Sequence, residues 1–466
     1  MRKQPGLPPK DINPKQNDKV ITQVREYELI TPLFGGGVTP AEADPVTIVR
    51  ATEIRGNLRF WWRACRGGKS EFKGDPAEMK KAEDKIWGKA YEKEDTPPAQ
   101  DETVQIRVEI NHSDTPKTIS PFVVVEKEGR KQVRPNSEPE TPPAYAAFPL
   151  QPTDEDIQAG IEPKTVLVKV SFKLIISFPK EKQKEVEAAL WAWETFGGIG
   201  ARTRRGFGAL RCVSIQVNER SVPVNLPQVN QEQVIQWMQT NWKEYTVAGS
   251  WSQNVPHLPQ YLTQNVNFKL ISWDSGSKVS AIWSDLIDCL KNFRQMRRTS
   301  TLKNAKHPGR SMWPEPSAIR DLTKQSHPRH VIPIPNPLIK KFPRAVFGLP
   351  IIFQFKDRNK YNPNDQNSDP RKTVLQLEAY ERLASSLILK PLACQAGEHI
   401  GLALILEGIK LDEEALILET QEGRKQQWNN LEASFDQGEA LTLTYRTYQA
   451  QINSQTDVLQ EFLKFL

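Results

Sequence analysis

Only four cysteines occur in 466 residues, at positions 65, 212, 289 and 394, far apart and with no C-x-x-C pair. That spacing excludes a disulfide framework and a zinc knuckle, and it suits packed thiols in a reducing, cytoplasmic setting. No stretch approaches the roughly 18 uninterrupted apolar residues of a spanning helix, and the opening MRKQPGLPPKDINPKQ has no apolar signal segment. Neither membrane insertion nor secretion is expected. The sequence has no H-E-x-x-H, no G-x-S-x-G, no G-x-x-x-x-G-K-[ST] and no clear two-metal acid set. No short period marks a solenoid.

Charge, in contrast, is abundant: 63 Lys and Arg against 56 Asp and Glu give +7. The total says little about partners, but its distribution says more. Residues 291–344 hold thirteen basic side chains and two acids, Glu315 and Asp321, for a net +11, which leaves the rest of the chain at −4. A basic patch on an acidic body attracts and orients a polyanion. Trp313 reads as the anchor of this tract, with Arg310 and Arg320 beside it as contact candidates. His307, His327 and His330 lie among cations and prolines, which disfavours a metal site, so neither a metal nor another cofactor is expected.

Proline-rich residues 1–17 read as a flexible arm. A strand is predicted from Val20 through ITQVREYELI, then the turn TPLFGGG with Gly35, Gly36 and Gly37, a helix over Ile54–Cys65 and further helix over Pro76–Lys93. Residues 94–163, broken by many prolines, read as an insertion or irregular face with two short strands, TVQIRVEI and PFVVVE. A central strand over 166–178, a helix over 181–194 and a strand over 208–217 complete one cycle. Strand, helix, two strands, helix, strand is the order of a ferredoxin-like α+β domain, placed at 18–225. A second cycle, 226–466, opens with NFKLISW and a helix over 278–297. Strand candidates follow at 344–355, 383–390 and 399–407, then an acidic tract, the strand ALTLTYRTY and a terminal amphipathic segment.

Two segments concentrate binding chemistry. On a helix, Arg55, Arg59, Arg63 and Arg66 form one stripe beside an apolar face of Ile54, Leu58, Trp61 and Cys65. The stripe suits phosphates, and equally a solvated face over a core Trp61. Residues 196–211, FGGIGARTRRGFGALR, set Arg202, Arg204 and Arg205 among Gly197, Gly198, Gly200, Gly206 and Gly208. Such a loop can cradle a polyanion, or form a surface turn whose arginines pair with neighbouring acids.

FGGIGARTRRGFGAL resembles the glycine-rich signature of the RAMP superfamily of CRISPR ribonucleoprotein subunits. TPLFGGG at 31–37, IRGNLRFWWRACRGG at 54–68, SMWPEPSAIR at 311–320 and ERLASSLILKPL at 381–392 narrow the likeness to the first-subunit family of the type III-B RAMP module (Cmr), over roughly residues 20–410. The resemblance implies two ferredoxin-like (RRM-like) domains and a cytoplasmic, non-catalytic antiviral subunit. Its implied partners are guide RNA (crRNA) at its 3′ region, target RNA and other RAMP subunits. It carries Arg55, Arg59, Arg63, Arg202, Arg204, Arg205 and Arg320 into RNA contact. The arm and the 94–163 region match no motif. Two other readings remain: a protein scaffold without RNA contact, and an unfamiliar metal-dependent ribonuclease drawing on His112, Asp154, Glu155 or Asp156.

Overall fold

The computed structural model describes residues 18–37, 42, 47–89, 102–110, 116–274, 276–297, 310–328, 340–355, 357–359, 362, 364–378, 380, 382–411, 415–421 and 426–466. The 1–17 arm, His112, His307 and His330 lie outside them. The chain is mixed α+β, with antiparallel sheets and eight α-helices among the described residues.

In the first strand, Val20–Leu29, alternate residues Ile21, Gln23, Arg25 and Tyr27 point inward, so a charge expected to face outward is buried, where Arg25 pairs with Glu194 at 2.8 Å. Its sheet runs Gln105–Ile110, Ser171–Pro179, Val20–Leu29, Leu210–Val217, Arg220–Val222, each neighbour antiparallel. Helices Ala51–Arg66 and Gln183–Phe196 pack against each other and cover the inner face. The continuous strand expected over 166–178 is two pieces, because Lys169 takes φ +57°. Val166–Val168 pairs away with Lys117–Ile119. The helix expected to reach Lys93 ends at Trp87.

The proline-rich region is less peripheral than its composition suggests. Gln105–Ile110 is an edge strand of the main sheet, and Phe122, Ala146, Ala147 and Leu150 are buried in a core shared with Trp283 and Phe293 of helix Val279–Arg294.

In the second half, Phe268–Ile271, His399–Ile405 and Leu387–Ala393 form a three-stranded antiparallel sheet. Leu387–Ala393 is buried throughout. Leu387 and Leu389 share the core of helix Val279–Arg294, while Ile388 and Leu392 join the core of the first half. One sheet therefore closes two cores, and the halves are fused across it. Ile351–Phe353, Thr373–Leu377, Leu416–Thr420 and Gln427–Trp428 form a separate sheet. Its last two strands fall in the acidic tract, where no strand was expected. A hairpin, Ala440–Tyr445 with Tyr448–Asn453, and helix Val458–Phe465 complete the chain.

Candidate functional site

The arginine stripe is tied into the protein. Arg59 donates to Glu83 at 2.7 Å and Asp84 at 3.3 Å, and Arg63 also binds Glu83, which is 1% exposed. Arg66 meets Glu185 at 2.8 Å. Arg55 donates to the carbonyls of Trp87 and Val104 at 2.6 and 2.9 Å. Trp61 is buried on the other face, as the periodicity predicts. At the helix end, the carbonyls of Arg63, Ala64 and Cys65 receive the Trp251 indole N–H and the Leu258 and Val247 amides. These donors belong to the segment joining the halves; those from Leu258 and Val247 occupy carbonyls that a helix terminus leaves unpaired, while the Arg63 carbonyl also accepts the Gly67 amide.

The glycine and arginine loop is a wedge between the halves. TPLFGGG lies against it: Ala201 N–H donates to the Phe34 carbonyl at 2.7 Å, Gly208 N–H to Pro32 at 2.9 Å, and Gly200 N–H to the Glu53 carboxylate at 2.6 Å. Gly35 and Gly36 have positive φ, and the Gly36 carbonyl accepts from Arg50. Gly197 and Gly198 leave no room for a side chain against Trp61, Trp193 and the Gly208 carbonyl. Gly206 fits under the Trp283 indole, whose N–H donates to the Arg205 carbonyl at 2.7 Å. Arg204 donates to the Ser385 carbonyl, and Arg205 to Leu387 at 2.7 Å and Phe347 at 3.3 Å.

Lys390 completes the wedge. It is 1% exposed, and its ammonium donates to the Gly197 and Glu194 carbonyls at 2.8 and 3.2 Å, at the negative end of helix Gln183–Phe196. Burial pulls its pKa down to about 7, only partly offset by Glu194. Between that value and the ordinary 10.5, the unfolded chain holds a proton that the folded chain lacks, so stability rises with pH. Denaturant unfolding should give about 1–2 kcal/mol more stability at pH 8.5 than at pH 7 from this group. Lys390→Met should remove that increment; an equal rise in the variant would disprove the assignment.

The second set of arginines differs electrostatically from the stripe. Burial lowers the pKa of Arg204 to about 10, and burial together with Arg294 and Arg202 lowers that of Arg205 to about 9. Arg202 is depressed by burial and Arg294, and Arg294 by burial and Arg344, with Tyr145 acting against both shifts. Arg344 donates to the Arg294 carbonyl at 2.9 Å and lies 3.1 Å from the carboxylate of Glu315, a residue with no exposure. Arg202 Nε, Arg294 Nε and Arg344 Nη2 are buried with no hydrogen-bond acceptor. Arg59, Arg63 and Arg66 are neutralised by Glu83, Asp84 and Glu185, whereas in this cluster only Arg344 meets a carboxylate, Glu315, among the described residues.

Arg320 joins the neutralised group, forked onto Asp369 at 2.9 and 3.0 Å and lying over Phe355. Arg310 is half-buried beside Trp313, which is buried and donates to the Phe293 carbonyl, as an anchor should. Among the described residues, no group of three or more His, Cys, Asp or Glu could hold a metal, and no helix is long and apolar enough to cross a membrane. Sequence reasoning did not single out Arg294, Arg344 or Lys390. Their signal was the net +11 of residues 291–344 for the first two, and the lone cation in LILKPL for the third.

Residues 26–211 match the model of the RAMP superfamily. Among solved structures, the chain is similar to Cmr1 from Pyrococcus furiosus in its apo form, at 16% identity over 84% of this chain and 90% of that chain, with a TM-score of 0.42. It is also similar to a chain of the type III-B Cmr-beta complex bound to cognate target RNA and AMPPnP in the presence of ssDNA, at 13% identity, with coverages of 85% and 97% and a TM-score of 0.45. No curated protein matches the sequence significantly.

Proposed function

We propose that the chain, whose residues 26–211 match the RAMP-superfamily model, is a non-catalytic RNA-binding subunit of a type III-B CRISPR ribonucleoprotein, contacting the 3′ region of the guide RNA and incoming target RNA. Its other partners are RAMP subunits of the same effector. The observation that carries this reading is the arginine cluster of Arg202, Arg205, Arg294 and Arg344, desolvated and faced by one carboxylate, Glu315. A guanidinium desolvated without a counter-ion raises the energy of the free protein, and a phosphate relieves it. The strand order of the first sheet, with its two helices on one face, supports reading 18–225 as a ferredoxin-like domain. Strand Phe268–Ile271, helix Val279–Arg294 and strands Leu387–Ala393 and His399–Ile405, with helix Glu315–Thr323 and two strands of another sheet inserted after the first helix, support the same reading for 226–466.

The distribution of partners divides the candidate residues. Arg55, Arg59, Arg63, Arg66 and Arg320 hold the fold, and Arg204 and Arg205 join the halves while Arg205 also lends charge to the cluster. Asp156, one of the acids considered for proton transfer, is bound up in a capping box with Thr153.

The test is RNA binding across a salt series with the full chain. Arg202→Gln and Arg294→Gln should each weaken unrelated single-stranded RNAs alike and lower the salt slope by about one. An unchanged slope in a folded double variant would leave a protein scaffold as the better account. Saturated RNA should also stay intact with Mg²⁺ or Mn²⁺. Metal-dependent cleavage that co-purifies with the chain and falls in the double variant would overturn the non-catalytic reading.

A further inference from the structure

The arginine cluster is compact where an RNA-tracking surface would be elongated. Arg202 and Arg205 come from the loop, Arg294 from the last turn of helix Val279–Arg294, and Arg344 from the turn Pro343–Phe347. These elements converge: beyond the effect of burial, Arg294 lowers the pKa of Arg202 and Arg205, and Arg344 lowers that of Arg294. Three of the four are also held from behind or beside. Arg205 is fixed by the Leu387 and Phe347 carbonyls, Arg294 lies 5.6 Å over the Phe347 ring, and Arg344 lies 5.9 Å over Trp313 and 5.5 Å over Phe353. Side chains fixed in this way need little reordering to receive an anion.

Charge sets what that anion must be. Four guanidiniums against Glu315 leave an excess of about three positive charges. Residues 298–309 and 329–339, next to these elements in the sequence, contain Arg298, Lys303, Lys306 and Arg329 and no Asp or Glu. An internal phosphodiester brings one negative charge and two free oxygens, and its chain must enter and leave. A terminal phosphomonoester brings nearly two charges and three acceptor oxygens on one atom, with a single chain leaving.

We propose that the cluster of Arg202, Arg205, Arg294 and Arg344 is a pocket for the terminal phosphomonoester of an RNA strand, so that the subunit recognises a strand end as well as a strand. This rests on the RNA-binding reading and sharpens it. Inorganic phosphate shares the chemistry without the strand, and the experiment separates the two.

Anisotropy would compare one internally labelled RNA of fixed sequence in three forms: 3′-phosphorylated, 5′-phosphorylated, and with hydroxyls at both ends. The full chain is used, with inorganic phosphate as competitor. One phosphorylated form should bind at least about tenfold tighter than the hydroxyl form, with the advantage shrinking below pH 6 as the phosphate loses its second charge. Arg294→Gln should abolish the advantage and leave residual binding of the hydroxyl form. Arg294→Lys, which keeps the charge without the fork, should lose most of it, and thermal unfolding checks that both variants fold.

Equal binding of all three RNAs, with both variants weakening them equally, would refute end recognition while leaving the RNA-binding reading intact. Inorganic phosphate that stabilises the chain, with no advantage for a phosphorylated end, would assign the pocket to a free anion and likewise refute it. Variants that change no RNA's binding would remove the cluster from RNA recognition altogether, and both readings would fail together.

Discussion

Trp61→Ala is expected to lower the unfolding free energy by about 3–5 kcal/mol. The indole is 4% exposed, packs 5.1 Å edge-on to Phe60 and 5.9 Å from Phe196, and sits where a Cβ on Gly197 would strike its nitrogen at 2.5 Å. Removing the ring empties the contact between helices Ala51–Arg66 and Gln183–Phe196, and a backbone held on both sides relaxes little into the space. Urea unfolding gives the number, and a loss below about 1 kcal/mol would put the ring on a surface instead. The neighbouring Arg59→Gln is not the silent control that a solvated stripe would make it. It takes one of two arginines from the buried Glu83 and should cost about 1–2 kcal/mol.

Gly208→Ala should be at least as damaging as a single added methyl can be. Gly208 has φ +60°, and a Cβ there would stand 1.9 Å from the Ile199 carbonyl oxygen. That crossing is also hydrogen-bonded, Ile199 N–H to the Gly208 carbonyl at 3.0 Å and Gly208 N–H to Pro32 at 2.9 Å. The left-handed conformation costs alanine about 1 kcal/mol, and opening the crossing breaks bonds inside a buried wedge, so a loss of about 3 kcal/mol or more is expected. Gly160→Ala is the control. Its φ is +70° with nothing within 4 Å, so it should show the conformational cost alone, about 1 kcal/mol. Similar thermal shifts for the two variants would show that the crossing carries no load.

Elements whose pattern is local were legible in the sequence. Helix Ala51–Arg66 follows from an apolar period of 3.6, and strand Ser171–Pro179 from its alternating Phe172, Leu174, Ile176 and Phe178. Pairings set by distant partners were not legible. Arg59 and Arg63 project as a free basic stripe until Glu83 arrives on the next helix, a partner that helical projection cannot supply. Glycines and arginines in FGGIGARTRRGFGALR suggest an open loop, because no local feature says that Leu387–Ala393 lies across it. The run LILKPLA announces a buried strand, but not that its two faces belong to different cores. Lys169 splits the segment VLVKVSFKLIISF by a backbone conformation that its residue type does not advertise.

The strand that closes two cores also sets the order in which the newborn chain can finish. Helix Gln183–Phe196 leaves the ribosome long before its cover: the bond from Lys390 to the Glu194 carbonyl spans 196 residues. At about 5–20 residues per second, Ala188, Leu190 and the end of that helix wait roughly 10–40 s for Ile388 and Leu392. Through that interval the first half has its sheet and helices but not its lid, so it exposes an apolar face to solvent. A fragment stopped near residue 225 would remain in that condition and should depend on chaperones or aggregate. The wedge loop is thus finished only when the second half docks onto it.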